Sequence, residues 1–155
     1  MAVNPLDYSG KETVLDVVRT ERAKFYASID NPDNWYVQTR CSEWEVRDLV
    51  GHMIDVTEGY LERWDLATKG ASAGAVGLQV MSDTLNENAQ GFRSLSREEA
   101  ISRLKADSDR LMGIFEALTP EDWATFMVTH PYMGLYQRSF TRPFRSWTMV
   151  SIPGI

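Results

Sequence analysis

Apolar residues recur at helical spacing over most of the chain and predict four amphipathic helices. These helices are expected from about Lys11 to Ser28, from Glu45 to Thr68, from Leu78 to Phe92 and from Ser96 to Leu118. The second helix has the clearest apolar stripe, formed by Val46, Leu49, Val50, Met53, Val56, Tyr60 and Trp64. Strand patterns are weak, since only residues 126–129 alternate briefly. The pattern therefore predicts an all-α fold, an up-and-down helical bundle with short or moderate loops.

Residues with strong turn or capping preferences separate the predicted helices. Asp30-Asn-Pro-Asp-Asn34 ends the first helix. The segment from Gly70 to Gly77 is rich in Gly, Ala and Ser, and we interpret it as a flexible loop, with the lining of a substrate entrance as the alternative. Capping-box spacing occurs at Ser42 with Glu45 and at Ser96 with Glu99, and Thr119-Pro-Glu-Asp122 predicts one further helical turn. The first box predicts that Trp44 lies just inside the second helix.

Composition and charge exclude several classes of function. Of the 155 residues, 43% are apolar, which is enough for the core of one domain. The net charge of −6 at pH 7 argues against nucleic acid as a partner and against anionic membranes. No apolar run is long enough to span a bilayer, and the N-terminus does not resemble a signal peptide. The single cysteine forbids an internal disulfide and predicts a cytoplasmic location.

The last part of the chain differs from the rest. Residues 135–155 contain three Arg and no Asp, Glu or His, and Pro143 and Pro153 interrupt any helix there. The apolar residues of this segment follow neither the helical nor the strand period. We therefore predict a helical bundle over residues 1–134 and an aberrant tail over residues 135–155, which replaces the last helix.

His52 is the main candidate for a functional residue, because it lies beside the apolar stripe of the second helix, where a metal ligand would suit the fold. A core or interface histidine is the alternative. Asp48 and Asp55 lie four residues before and three residues after it on the same helix surface, where either could orient the imidazole. For both we expect a solvated charge rather than a ligand. Glu58 is expected to point elsewhere.

Two other side chains carry weaker predictions. His130 precedes Pro131, so we expect extended backbone and a structural hydrogen bond, with an approach to His52 as the alternative. Cys41 has no neighbouring base, so we expect a small buried thiol rather than a nucleophile. The sequence contains no Gly-rich phosphate loop and no hydrolase motif, so nucleotide binding and hydrolytic triads have no support.

Two segments together resemble one protein family. The first is Thr39-x-Cys-x-x-Trp-x-Val-Arg-Asp-Leu-Val-x-His52, and the second is His130-Pro-Tyr-Met-Gly134. Over roughly residues 10–134 the chain resembles the N-terminal domain of mycothiol-dependent maleylpyruvate isomerases, a branch of the DinB-like metal-binding bundles. The resemblance implies a DinB-like four-helix bundle that binds a divalent metal, commonly zinc. It also implies that mycothiol or a similar small-molecule thiol acts on a small electrophile.

The resemblance further implies which residues bind the metal. In the family one His comes from the second helix, and this residue is His52 here. A carboxylate and a second His, four residues apart, come from the last helix, which is expected beyond Gly134. Because the chain has no Asp, Glu or His there, the metal site is predicted to be incomplete. No catalytic residue is assigned.

A shift of the reading frame in the tail offers a cause for the missing ligands. We back-translated Trp147 to Ile155, taking a TCN codon for Ser151, and read it one base out of frame. The shifted reading forces an Asp at the Thr148 codon and permits a His four residues later. The full shifted string permits Met-Asp-Tyr-Gly-Val-His-Ser-Trp-Asp, which resembles the last-helix motif of the family. We hypothesise that the chain is a frameshifted and truncated family member after Gly134.

Two classes of function follow from these observations. The first is the metal-binding isomerase or S-transferase chemistry of the family, with little or no catalysis expected because the site is incomplete. The second is a non-catalytic interaction module, in which apolar helix faces exposed by loss of the last helix drive assembly into a homo-oligomer. A third and weaker alternative is an intact metal site built from His52, His130 and an acidic residue.

Overall fold

The computed structural model describes residues 7–135, and residues 1–6 and 136–155 lie outside this description. Within the described range the helices are α1 (Lys11–Asp30), α2 (Val46–Thr68), α3 (Leu78–Gly91), α4 (Arg97–Ala117) and the short α5 (Pro120–Thr125). One-turn 3-10 helices lie at Tyr8–Gly10, Pro32–Asn34 and Phe92–Ser94. The strands β1 (Thr129–His130) and β2 (Gly134–Leu135) pair antiparallel. The predicted all-α class is confirmed, whereas the predicted replacement of the last helix concerns residues outside the described range.

Each of the helices α1 and α4 caps the C-terminal end of the other. At the start of α1, Lys11 Nζ donates to the carbonyl oxygens of Glu116 and Leu118 at 2.7 and 2.8 Å. At the opposite end, Arg97 Nη2 donates to the carbonyl oxygen of Ile29 at 2.9 Å. The last carbonyls of a helix have no partner within the helix, and a cationic donor satisfies them. The two helices are therefore antiparallel, and each begins with a residue that caps the other.

Helix α2 lies at the centre and packs against α4 on one side and α3 on the other. Two apolar clusters join it to α1 and α4. Their buried members are Leu15, Val18, Leu61, Trp64, Leu111, Met112, Phe115, Leu118 and Trp123, and Ile29, Trp35, Val46, Val50, Met53, Ile54, Ala100 and Leu104. A smaller cluster of Trp44, Leu49 and Ala89 joins α2 to α3. No helix in residues 7–135 combines the length and apolar character that crossing a membrane requires.

The start of α2 differs from the prediction. The helix begins at Val46, and its capping box consists of Glu45 and Asp48 rather than Ser42 and Glu45. Asp48 Oδ2 accepts a hydrogen bond from the Glu45 backbone N–H at 2.9 Å. Trp44 therefore precedes the helix instead of lying inside it. The reason is the extended pairing that surrounds this point, in which the N–H of Val46 donates to Val37 O at 3.0 Å and delays the helix until that ladder ends.

The segment from Gly70 to Gly77 is a loop, as predicted. Both of these glycines have positive φ, at 68° and 89°, a conformation that favours Gly. The N–H of Val76 donates to the carbonyl oxygen of Pro131 at 2.9 Å, and Arg63 Nη1 of α2 donates to that of Thr129 at 3.3 Å. The loop and the hairpin are therefore bonded to each other and to the second half of α2.

Candidate functional site

His52 lies near the start of α2, beside the contact with α3. Its ring centroid is 5.1 Å from that of Trp44, with an angle of 43° between the planes. Its Nδ1 is shielded from solvent and forms no hydrogen bond with any residue in the range 7–135. Burial lowers the pKa of His52, and the charge of Asp55 opposes this effect. The neutral imidazole, which is the form that binds a metal, is therefore favoured near neutral pH.

The indole that faces His52 is held by α3. Trp44 Nε1 donates to Asn86 Oδ1 at 2.8 Å, and the Asn86 amide donates in turn to the Glu43 carboxylate. A buried indole N–H needs a partner of this kind. The orientation of Trp44 over the imidazole therefore depends on a side chain of the neighbouring helix.

A close backbone contact lies directly before His52. A Cβ atom at Gly51 would overlap the carbonyl oxygen of Ala89 and lie 3.2 Å from Cβ of Phe92. Helices α2 and α3 can therefore approach this closely only because residue 51 has no side chain. A glycine inside an apolar helical stripe is the signal in the sequence for such a contact.

Asp48 is not a solvated charge, contrary to the prediction. It is fully buried, and its two oxygens accept hydrogen bonds from Arg93 Nε and Nη2 at 2.7 Å each. Burial raises the pKa of Asp48, but the hydrogen bonds from Arg93 and from the Glu45 backbone outweigh it and hold the pKa below its usual value. The carboxylate therefore ties the start of α2 to the segment after α3, instead of orienting His52.

Asp55 lies one turn after His52 and is half-buried, so it is less solvated than predicted. Burial raises the pKa of Asp55, whereas a hydrogen bond with Asn88 of α3 and the charge of His52 lower it. Burial also raises the pKa of Tyr132 in the hairpin, and the charge of Asp55 adds to this rise. The charge of Asp55 therefore acts on both His52 and Tyr132.

Glu58 and Cys41 lie away from the candidate site. Glu58 points towards α4, as expected, and its Oε2 accepts from Arg103 Nη2 at 2.9 Å. Cys41 is a free and exposed thiol, so its predicted burial is wrong. It is the first residue of the turn that the N–H of Trp44 closes onto the Cys41 carbonyl at 2.9 Å, and this turn lies at the surface.

His130 lies in β1 and has the extended backbone and the structural hydrogen bond that were predicted. Its Nδ1 accepts from the backbone N–H groups of Tyr132 and Met133 at 3.2 Å each. Its ring contacts Tyr60, with 6.0 Å between centroids. At a rise of 1.5 Å per residue, Tyr60 lies about 12 Å further along α2 than His52. His52 is itself part of α2, and His130 therefore lies against α2 at a different level of the bundle.

The described residues do not form a metal centre. Every His, Cys, Asp and Glu of the chain falls between residues 7 and 130. Within residues 7–135 no three of these side chains lie close enough together to hold an ion. Zinc sites normally have three or four protein ligands. The alternative of an intact site from His52, His130 and an acidic residue is therefore wrong.

Comparison with known protein families gives a match that covers most of the chain. The model described as "Mycothiol maleylpyruvate isomerase N-terminal domain" matches residues 15–148. The chain belongs to this family. The match to the mycothiol maleylpyruvate isomerase N-terminal domain includes Trp44, His52 and the hairpin, and it continues past Gly134. No curated protein and no solved structure gives a significant match.

Two polar contacts of the site in this family member were not predicted. They involve Asn86 and Asn88 on α3. Asparagine is a weak helix former, so two of them near the middle of one helix are a signal of side-chain contacts with another element. Nothing comparable in the sequence indicates that the charge of Asp55 raises the pKa of Tyr132.

Proposed function

We propose that this domain derives from a metal-binding, thiol-dependent isomerase or S-transferase in which His52 is one metal ligand. Membership of the family supports the type of chemistry. The observation that carries the role of His52 is its Nδ1, which is shielded and unpaired within residues 7–135. A buried polar atom without a partner is uncommon, since it costs about 1–3 kcal/mol. A function for this imidazole explains why such a cost is tolerated.

We propose that the site is incomplete in this chain. Within residues 7–135, no three His, Cys, Asp or Glu side chains around His52 lie close enough together to hold an ion. A single imidazole binds a divalent metal weakly and without selectivity. We therefore expect no tightly bound metal and little or no thiol-dependent catalysis by the chain as its sequence stands.

We attribute the missing ligands to a change of reading frame after Gly134. The absence of Asp, Glu and His from residues 135–155, together with the Asp-x-x-x-His that the shifted frame permits, supports this origin. The coding DNA tests it directly. A shifted frame that lacks Asp-x-x-x-His would show that the tail has another origin.

An activity assay tests the proposed chemistry. One added base after the Gly134 codon gives a frame-restored chain, which we expect to isomerise maleylpyruvate in the presence of mycothiol. His52→Ala in the frame-restored chain should abolish this activity, whereas His130→Asn should retain it. An inactive frame-restored chain, or activity that survives His52→Ala, would contradict the proposal.

The proposed partners are small molecules. The family name implies mycothiol, and we propose a small electrophile as the second reactant. The net charge of −6 makes nucleic acid an unsuitable partner. The free and exposed thiol of Cys41 suits a reducing compartment, so we propose that the protein acts in the cytoplasm.

A second candidate function is that of a self-associating interaction module. Val76, Leu78 and Val80, in the loop and at the start of α3, are 52%, 57% and 40% exposed. Neighbouring exposed apolar side chains favour association. Light scattering after size exclusion should then show a homo-oligomer that Leu78→Lys converts to a monomer. A wild-type monomer at all protein concentrations would exclude this function.

A further inference from the structure

The hairpin turn is closed by a side chain that changes charge near neutral pH. His130 Nδ1 accepts the backbone N–H groups of Tyr132 and Met133, both at 3.2 Å. A ring nitrogen accepts hydrogen bonds only while it carries no proton. The closed turn therefore requires the neutral imidazole with its proton on Nε2.

The turn also holds two neighbouring elements. The carbonyl oxygen of Pro131, between the acceptor and its donors, accepts from the N–H of Val76 at the end of loop 71–77, at 2.9 Å. Tyr132, whose N–H is one of the two donors, also has its ring centroid 6.1 Å from that of His130. The positions of Val76 and of the Tyr132 ring therefore depend on the same ring nitrogen.

We propose that His130 is a pH-sensitive latch: uptake of a proton from solvent at Nδ1 opens the turn at residues 130–133 and releases Val76 at the end of loop 71–77. The new N–H at Nδ1 faces two backbone N–H groups, and donors cannot bond to one another. The charged ring also lies on the side of Arg63, whose charge disfavours it. The inference rests on the turn alone and does not depend on a metal at His52.

The groups around His130 in residues 7–135 fix the direction of the pH effect. From α2 it is faced by Arg63 and Tyr60, and from the turn by Tyr132. Burial raises the pKa of Tyr60 to about 12, so Tyr60 stays neutral, and loop residues 71–77 contain no titratable side chain. Burial and the charge of Arg63 lower the pKa of His130. The latch is therefore fully closed above the ordinary His pKa of about 6.5 and weakens as the pH falls below it.

Amide hydrogen exchange measured by NMR tests the latch on the whole chain. Protection factors of Val76, Tyr132 and Met133, corrected for intrinsic exchange, are compared between about pH 7.5 and about pH 5. We expect all three to fall several-fold as the His130 ring protonates. Because the chain has only two histidines, His52→Ala leaves a single imidazole to follow and should keep the full pH dependence.

Two substitutions at residue 130 separate the latch from general acid loosening. In His130→Asn the side-chain oxygen accepts the same N–H groups and does not titrate, so the protection should persist at both pH values. In His130→Ala it should be low at both. Protection that is independent of pH in the wild type, or a pH dependence that survives His130→Asn, would overturn the proposal even if His130→Ala does not fold.

Discussion

The α1–α4 contact and the α2–α3 contact are built from different interactions. Helices α1 and α4 share apolar clusters, use Lys11 and Arg97 to cap each other's ends, and form only ion pairs with exposed carboxylates within residues 7–135, namely Arg19–Glu116 and Arg22–Asp109. Helices α2 and α3 share a smaller apolar cluster, and the buried carboxylate of Asp48 ties α2 to Arg93, in the segment directly after α3, through two hydrogen bonds. Apolar packing tolerates small adjustments, whereas a bidentate ion pair fixes geometry. The comparison indicates that the first contact stabilises the bundle and the second positions the surroundings of His52.

The largest effect should come from the ion pair of the α2–α3 contact. Asp48→Ala removes a buried carboxylate and leaves Arg93 without its partner, and we expect a loss of about 3–4 kcal/mol in the free energy of unfolding. We do not expect a larger loss of stability, because the Arg93 side chain is 36% exposed and solvent hydrates part of its guanidinium group. Urea denaturation measures the change. Asp65→Ala, which removes an exposed partner of Lys69, should have little effect, and equal losses would contradict the distinction.

The next largest effect should come from the backbone contact beside His52. Gly51→Ala places a methyl group against the Ala89 carbonyl and should destabilise the fold by about 2–3 kcal/mol. Gly59→Ala on the same helix meets no atom within 4 Å and should stabilise it by about 0.5–1 kcal/mol. Thermal melts of the two variants provide the test. Similar melting temperatures for both would show that α2 and α3 are not in close contact.

A smaller loss is expected at the α1–α4 contact. Lys11→Met keeps most of the apolar stem but leaves the carbonyl oxygens of Glu116 and Leu118 without their donor. We expect about 1–2 kcal/mol, measured by urea denaturation. Lys24→Met is the matched control, since Lys24 bonds only an exposed Glu21. A larger loss in the free energy of unfolding for Lys11→Met than for Asp48→Ala would contradict the comparison of the two contacts.

The smallest change in stability is expected for a substitution at Asn86, which should instead alter the titration of His52. Asn86→Ala removes the acceptor of the Trp44 indole and loosens the cover of the imidazole. Because burial is what lowers the pKa of His52, that pKa should rise towards its usual value, as NMR titration of the ring protons would show. Gln79→Ala, which removes an exposed contact with Asp83 on the same helix, should leave the titration unchanged. An unaltered His52 titration in Asn86→Ala would mean that Trp44 does not cover the ring.

The helices could be predicted from the sequence because their apolar periodicity is local. The burial of Asp48 could not, since its partner Arg93 follows 45 residues later in the chain. The start of α2 was misplaced for a related reason, because pairing with residues 37–39 keeps the backbone extended up to Glu45. The turn at residues 41–44, which this pairing encloses, also leaves Cys41 exposed. His52 lies on α2 with its Nδ1 shielded from solvent, and its role as a metal ligand stays a prediction.

Metal stoichiometry tests the central claim most directly. Zinc is titrated into the purified chain, into its frame-restored form and into the frame-restored His52→Ala variant, and bound metal is counted after dialysis. We predict about one tightly held ion per molecule in the frame-restored form and none in the other two. One tightly held ion in the chain as its sequence stands, or equal binding with and without His52, would contradict the account.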